Sequence, residues 1–305
     1  MTSQLTKTTL DVRPLSPTIG AEIHGIDLAG PLADELIAAI RDVWLERLVV
    51  FFPDQRLDDQ TQVAFARRFG ELTEGHPVEA TDAERPEVLP VDSKKDRTDF
   101  WHTDVTFMKR PPMASMLRAV VLPDVGGDTM WADTRAAYET LAQPLREFCD
   151  TLTAIHYDPY YAKAVAEGRG NVWEGKKLEH LWPVEHPVVR AHPETGRRNL
   201  FVNPQFTVGL KGFPGPQGQA FLRLLYDHMT APELLVRYRW RPGTLAFWDN
   251  RSTMHYGIFD YAGSHRVMHR VTLRGDAPKL GVLASLAGGP DSSTVAAGAG
   301  RPGRR

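Results

Sequence analysis

Hydrophobic and polar positions alternate in short blocks along most of the chain. The opening segments LDVRPL and IGAEIHGIDL are short extended patterns separated by turn residues, as expected of strands. Leu32, Leu36, Ile40, Val43 and Trp44 then recur at three- and four-residue spacing, which predicts an amphipathic helix. The run Leu48 to Phe52, closed by Pro53, is β-branched and aromatic and reads as a buried strand. A second helix starts at an Asp58 cap, carries Val63, Ala66 and Phe69, and ends at Gly70. Residues 71–100 read as a polar loop enclosing a strand near VLPV, and residues 133–151 as helical with a break at Pro144. Residues 157–185 mix aromatic and charged side chains without a period, the pattern of an insertion or lid. The last third returns to strands, at HPVVRAH, NLFVN, VRYRWR, TLAFWD and VMHRVTLRG, with one helix around Phe221, Leu224, Leu225 and His228. In VRYRWR, Val236, Tyr238 and Trp240 alternate with arginines, as on a strand with one wet face.

Short strands outnumber helices, which predicts a mainly β fold, a sandwich or jelly roll with flanking helices, over a parallel α/β sheet. Of the 305 residues, 1–287 are expected to form a single domain, and the Gly, Ala, Ser, Pro and Arg bias of 288–305 predicts a disordered tail. A count of 36 Lys and Arg against 38 Asp and Glu gives a net charge of -2. That balance argues against broad nucleic-acid or anionic-membrane binding, so any anion specificity must be local. The single cysteine, Cys149, excludes an intrachain disulfide framework and fits a reducing compartment. Apolar runs fall far short of the ~20 residues a spanning helix needs, and the polar start lacks a signal-peptide core, so a cytoplasmic protein without membrane association is expected.

Candidate chemistry centres on Trp101-His102-Thr103-Asp104. On a strand, residues two apart project to the same face, so His102 and Asp104 present an imidazole and a carboxylate to one point. The triplet alone is weak, because such sequences are common on solvated surfaces. His255, in TLAFWDNRSTMHYG, supplies a second imidazole. Two imidazoles and one carboxylate occupy one face of a metal and leave three positions open, as in non-haem Fe(II) oxygenases; the same set can hold zinc for hydrolysis. Downstream, Arg266, Met268, Arg270 and Thr272 share one face of a predicted strand, while Val267, Val271 and Leu273 share the other. If the arginine face points inward, each guanidinium needs an anion, since an unpaired buried charge is very costly. Facing water, the same arginines would be an ordinary edge.

The conjunction of WHTDVTF, GGDTMWAD, FWDNRSTMHY and HRVMHRVTLRGD, spread in order from about Leu10 to Asp276, resembles the taurine dioxygenase family of Fe(II)- and 2-oxoglutarate-dependent oxygenases, which includes alkylsulfatases and phenoxyacetate dioxygenases. The resemblance implies a double-stranded β-helix, a cupin-like distorted jelly roll. It implies that His102, Asp104 and His255 bind Fe(II), and that Thr129 and Arg266 hold the far carboxylate of 2-oxoglutarate. Arg270 and His76 would meet the anionic head of a small substrate, with Phe206 and Val105 beside it. The implied reaction consumes dioxygen and hydroxylates the carbon next to a sulfonate, as in taurine, or a sulfate ester. It releases an aldehyde with sulfite or sulfate, plus succinate and carbon dioxide. A homo-oligomer is also implied. Where taurine-specific members carry a tyrosine after the substrate histidine this chain has Glu79, and where they carry an asparagine before the metal motif it has Thr98 or Asp99. These departures point away from taurine itself. Three other readings remain open: a carboxylate substrate such as an aryloxyacetate, a zinc hydrolase, and a cupin-like protein that holds a metal and an anion without turnover.

Overall fold

The computed structural model describes residues 10–79, 81, 84–95, 97–261 and 263–280. The expected tail, 288–305, lies outside the described residues. The fold is mainly β with flanking helices. Its largest sheet has seven strands in the order Asp11–Pro14, Ala21–His24, Val49–Phe52, Leu245–Asp249, Ala114–Val121, Val267–Leu273 and Leu89–Asp92. All neighbours are antiparallel except Ala21–His24 with Val49–Phe52. A three-stranded sheet, Leu235–Tyr238, Thr129–Asp133 and Thr253–Gly257, packs against its inner face.

The run VVFF shows why the large sheet is buried on both sides. Val49 and Phe51 point between the two sheets, where Phe51 stacks on Tyr238 at 3.8 Å and meets Trp131 edge-on at 5.3 Å. Val50 and Phe52 point the other way, toward the helices Asp34–Arg47 and Asp59–Arg67. The period-two alternation of a strand therefore serves two cores, and both sets of positions are apolar. The first helix presents Ile37, Ile40 and Trp44, the last stacking on Phe247 at 4.4 Å. The second is capped by Asp58, whose carboxylate accepts from the Thr61 N–H while the Thr61 hydroxyl returns to the Asp58 N–H. Helices Thr134–Thr140, Gln143–Cys149 and Pro216–Met229 cover the outer face of the smaller sheet through Ala132 and Met254.

Three readings of the sequence are corrected here. The WHTD segment is not a strand: His102 makes an isolated bridge and Asp104 opens a turn, with Val105 at φ 56, a left-handed conformation rare for a β-branched residue. HPVVRAH divides into the end of Val184–Pro187 and the separate strand Val189–Ala191. NLFVN is a strand only through Leu200. The segment without a period, 157–185, holds the short helix Pro159–Ala164, a π turn and the two-residue pair Val172–Trp173 and Lys176–Lys177. Among the described residues no helix is long and apolar enough to cross a membrane.

Because Phe51 contacts both aromatic partners of the inter-sheet core, Phe51→Ala is expected to lower unfolding stability by about 3–5 kcal/mol. Urea unfolding with an unchanged slope checks this; a loss under about 1 kcal/mol would mean the sheets do not depend on that contact.

Candidate metal centre and its surroundings

The segment around His102 and the strand Thr253–Gly257 are joined by their backbones. The His102 N–H donates to the His255 carbonyl at 3.0 Å, and the His255 N–H returns to the His102 carbonyl at 2.7 Å. Thr103 Oγ1 adds a bond to the Thr253 carbonyl at 2.7 Å. The two rings sit 4.1 Å apart between centroids. Asp104, in the turn that follows, brings Oδ1 to 3.8 Å from His102 Nε2 and 3.9 Å from His255 Nε2. The candidate ligand atoms of these three buried side chains all lie within 4.8 Å of one another.

Each side chain is in the state a cation requires. His102 Nδ1 donates to the Phe100 carbonyl at 3.0 Å, which fixes the tautomer and leaves Nε2 with its lone pair. Burial lowers the pKa of both rings, and for His255 the neighbouring His102 adds to the effect, so both are neutral. Burial alone would raise the Asp104 pKa, but Arg270, His255, His102 and the Ser115 hydroxyl outweigh it and hold the carboxyl well below its usual range. Two neutral nitrogens and one ionised oxygen, inward-facing and close, fit a divalent ion.

The second oxygen of Asp104 is held by residues that the sequence did not single out. Ser115 Oγ donates to Oδ2 at 2.6 Å, and Asn250 Nδ2 donates to Ser115 Oγ at 2.8 Å. Trp248 Nε1 donates to Asn250 Oδ1 at 2.9 Å, so an indole, which can only donate, orients the amide. Register explains the placement: Ser115 lies opposite Trp248 on one side and Thr272 on the other, on the inner face of the strand Ala114–Val121.

Thr129 and Arg266 are brought together as the family resemblance implied. Thr129 starts the middle strand of the smaller sheet; Arg266 immediately precedes Val267–Leu273, its carbonyl accepting from the Ser93 N–H and its N–H donating to the Ser93 hydroxyl. Arg266 is 7% exposed, and among the described residues its guanidinium bonds are to the Gly127 carbonyl at 3.1 Å and Thr129 Oγ1 at 3.4 Å. No described carboxylate forms an ion pair with it, and burial lowers its pKa. The GGDT turn is tailored to that arginine: Gly127 has φ 74, and a Cβ there would lie 3.1 Å from Arg266 Cδ.

Arg270 faces inward as well, but it is paired: Nη1 donates to Asp104 Oδ1 at 2.7 Å, while its buried Nε has no hydrogen-bond partner among the described residues. His76 is buried, and burial, reinforced by Arg270, lowers its pKa to about 4. Its Nδ1 accepts from the Val78 and Glu79 N–H groups at 3.2 and 2.9 Å, leaving Nε2 as the donor. Phe206 is buried edge-on to His102, 6.4 Å away, and packs on Phe107 at 5.0 Å. Val105, Phe206, Phe107 and Val78 form one apolar cluster, closed from the far side by Val165, Trp173 and Leu181 of the insertion.

Comparison with known proteins agrees with this geometry. Residues 11–272 match the sequence profile described as taurine catabolism dioxygenase TauD, TfdA family. The chain is 40% identical over 278 residues to an alpha-ketoglutarate-dependent sulfate ester dioxygenase of Pseudomonas putida, covering 88% of this chain and 91% of that protein. It is 40% identical to an alkylsulfatase of Acinetobacter baylyi, over 88% of this chain and 86% of that one. The crystal structure of a taurine dioxygenase from Burkholderia xenovorans superposes with a TM-score of 0.77 at 42% identity, covering 88% and 90% of the two chains. By profile, sequence and fold alike, the chain belongs to the taurine catabolism dioxygenase TauD, TfdA family.

Proposed function

We propose that the protein is an Fe(II)- and 2-oxoglutarate-dependent dioxygenase that hydroxylates the carbon next to the anionic head of a small organosulfur compound, with alkyl sulfate esters favoured. The observation that carries this reading is the buried cluster of His102, Asp104 and His255, with a second buried cation, Arg266, that lacks an acidic partner among the described residues. A hydrolase needs the first feature but not the second. Sulfate esters are favoured because the relatives at 40% identity are named for sulfate ester and alkylsulfatase activities. The apolar wall of Val78, Val105, Phe107 and Phe206 suits an alkyl chain better than the ammonium group of taurine. Two largely antiparallel sheets sharing one core support the double-stranded β-helix form of the fold. The one cysteine supports a cytoplasmic setting.

In this reading His102 Nε2, His255 Nε2 and Asp104 Oδ1 would hold iron, and Arg266 with Thr129 would take the distal carboxylate of 2-oxoglutarate in charge-assisted hydrogen bonds. Iron and 2-oxoglutarate together supply the oxidising chemistry, with succinate and carbon dioxide as by-products. Arg270 Nε and His76 Nε2–H are donors free to meet the sulfate head, and neutral His76 donates without changing the local charge. Phe206 and Val105 border the metal centre, excluding water and orienting the carbon to be oxidised. Hydroxylation of the carbon bearing the sulfate oxygen gives an adduct that breaks to an aldehyde and sulfate.

Oxygen uptake with Fe(II) and 2-oxoglutarate across alkyl sulfates, sulfonates and aryloxyacetates tests the whole reading. Alkyl sulfates are expected to release sulfate and succinate in equal amounts. Sulfite or phenol as the main product would replace the substrate class, and product formed without oxygen uptake would make the enzyme a hydrolase.

Asp104→Ala is expected to abolish substrate-dependent succinate formation, and normal turnover in that variant would refute the ligand set. For Arg270→Ala the expected change is a rise in substrate KM of tenfold or more, from about 2–5 kcal/mol for truncating one partner of a buried charge contact. Slow decay of 2-oxoglutarate uncoupled from product should persist. An unchanged KM would remove Arg270 from the head-group role.

A further inference from the structure

We propose that Trp240 is a positioning residue for the cosubstrate: its indole N–H fixes the direction in which the Thr129 hydroxyl donates. The inference rests on the assignment of Thr129 and Arg266 to the distal carboxylate of 2-oxoglutarate. Trp240 lies two residues beyond the strand Leu235–Tyr238, yet it continues that strand's inward face and is buried in the inter-sheet core. Tyr238 is registered directly opposite Thr129, which brings the next inward residue, Trp240, alongside the threonine. Trp240 Nε1 donates to Thr129 Oγ1 at 2.9 Å. The same oxygen accepts from Arg266 Nη2 at 3.4 Å, and the Arg266 guanidinium carbon lies 5.9 Å from the centre of the Trp240 ring.

A hydroxyl has one proton and two lone pairs, and an indole nitrogen can only donate. With both lone pairs of Thr129 turned toward Trp240 and Arg266, its proton must point away from both donors. In the proposed arrangement the cosubstrate carboxylate lies on that side, within reach of the guanidinium. An anion arriving there meets a donor already aimed at it, rather than a rotor whose lone pairs would repel it half the time. The tryptophan touches no reacting atom; it acts through the threonine. The cluster also explains why an otherwise ordinary strand threonine suits a carboxylate.

Calorimetric titration of 2-oxoglutarate into the Mn(II)-loaded full-length protein, which does not depend on turnover, reads the effect directly. Trp240→Phe keeps an aromatic ring beside Arg266 and removes the N–H. It is expected to weaken 2-oxoglutarate binding about five- to tenfold, the scale of one neutral hydrogen bond, and to leave the KM for the organic sulfate unchanged. Thr129→Val should weaken binding at least as much, and adding Trp240→Phe to it should have no further effect, because the indole then has nothing to orient. Should Trp240→Phe fail to fold, 3-benzothienylalanine at position 240 removes the N–H within the same ring outline. Unchanged affinity in either Trp240 variant, or losses that add in the double variant, would overturn the proposal while leaving the cosubstrate site intact. Unchanged affinity in Thr129→Val would overturn the site itself, and the role of Trp240 with it.

Discussion

The reciprocal backbone hydrogen bonds between His102 and His255 are the constraint on which the centre depends. They tie a turn-forming segment to the edge of the smaller sheet, so two imidazoles far apart in sequence sit with ring centroids 4.1 Å apart. Two such rings beside a carboxylate would drift apart in water, because burying them carries a desolvation cost that only a shared cation or a hydrogen-bonded frame offsets. Here the chain itself supplies the hydrogen-bonded frame. Burial keeps the rings neutral, Arg270 keeps Asp104 ionised, and Ser115 fixes its second oxygen. The site is preorganised in charge as well as in position.

A second regularity is the use of tryptophan to assign proton direction. Trp248 sets the Asn250 amide, which sets the Ser115 hydroxyl, which donates to Asp104. Trp240 plays the corresponding part at Thr129. Serine and threonine hydroxyls rotate to suit whatever is nearby, so in a buried site their polarity must be imposed by a group that can only donate. Both indoles are packed in the core between the two sheets, where the same ring area that holds the sheets together holds the donor still.

The sequence made the frame legible where one physical signal dominated. The period of the first helix, the aromatic run of the Val49–Phe52 strand, the Asp58 cap and the two-faced Val267–Leu273 strand all reappear, because in each the apolar face alone fixes the element. The inward direction of Arg266 and Arg270 follows the alternation, with Met268 between them in the core. The WHTD segment was misread as a strand because two routes lead to the same convergence. Alternation on a strand was expected to aim His102 and Asp104 at one point, whereas a bridge followed by a turn with Val105 at φ 56 does so instead. The strand Ala114–Val121 was not singled out, and with it Ser115. A serine in an apolar run carries no mark of function until the fold sets Asp104 above it. Asn250 and Trp240 were hidden for the same reason: their roles are directions of hydrogen bonds, which residue spacing does not encode.

The segment 157–185 and the loop around His76 hold one another through side chains of both. Asn171 donates to the carbonyls of His76 and Glu79 at 2.9 and 2.7 Å, and its own N–H donates to the Pro77 carbonyl at 2.8 Å. Tyr161 donates to the Glu79 carboxylate at 2.5 Å and lays its ring 5.2 Å from that of His76. Burial raises the pKa of the Tyr161 phenol, and Glu79 adds to the rise, so it stays a donor. The Glu79 carboxylate is therefore met by a tyrosine from another segment. Together the two segments hold His76 by its backbone and by Nδ1, so its Nε2–H direction is set by the insertion as much as by its own loop. In the proposed function the metal centre is framed by the sheets and the substrate end by residues 74–79 and 157–181. On that reading substrate preference can change through the second pair while the first, with its buried charges in balance, stays fixed.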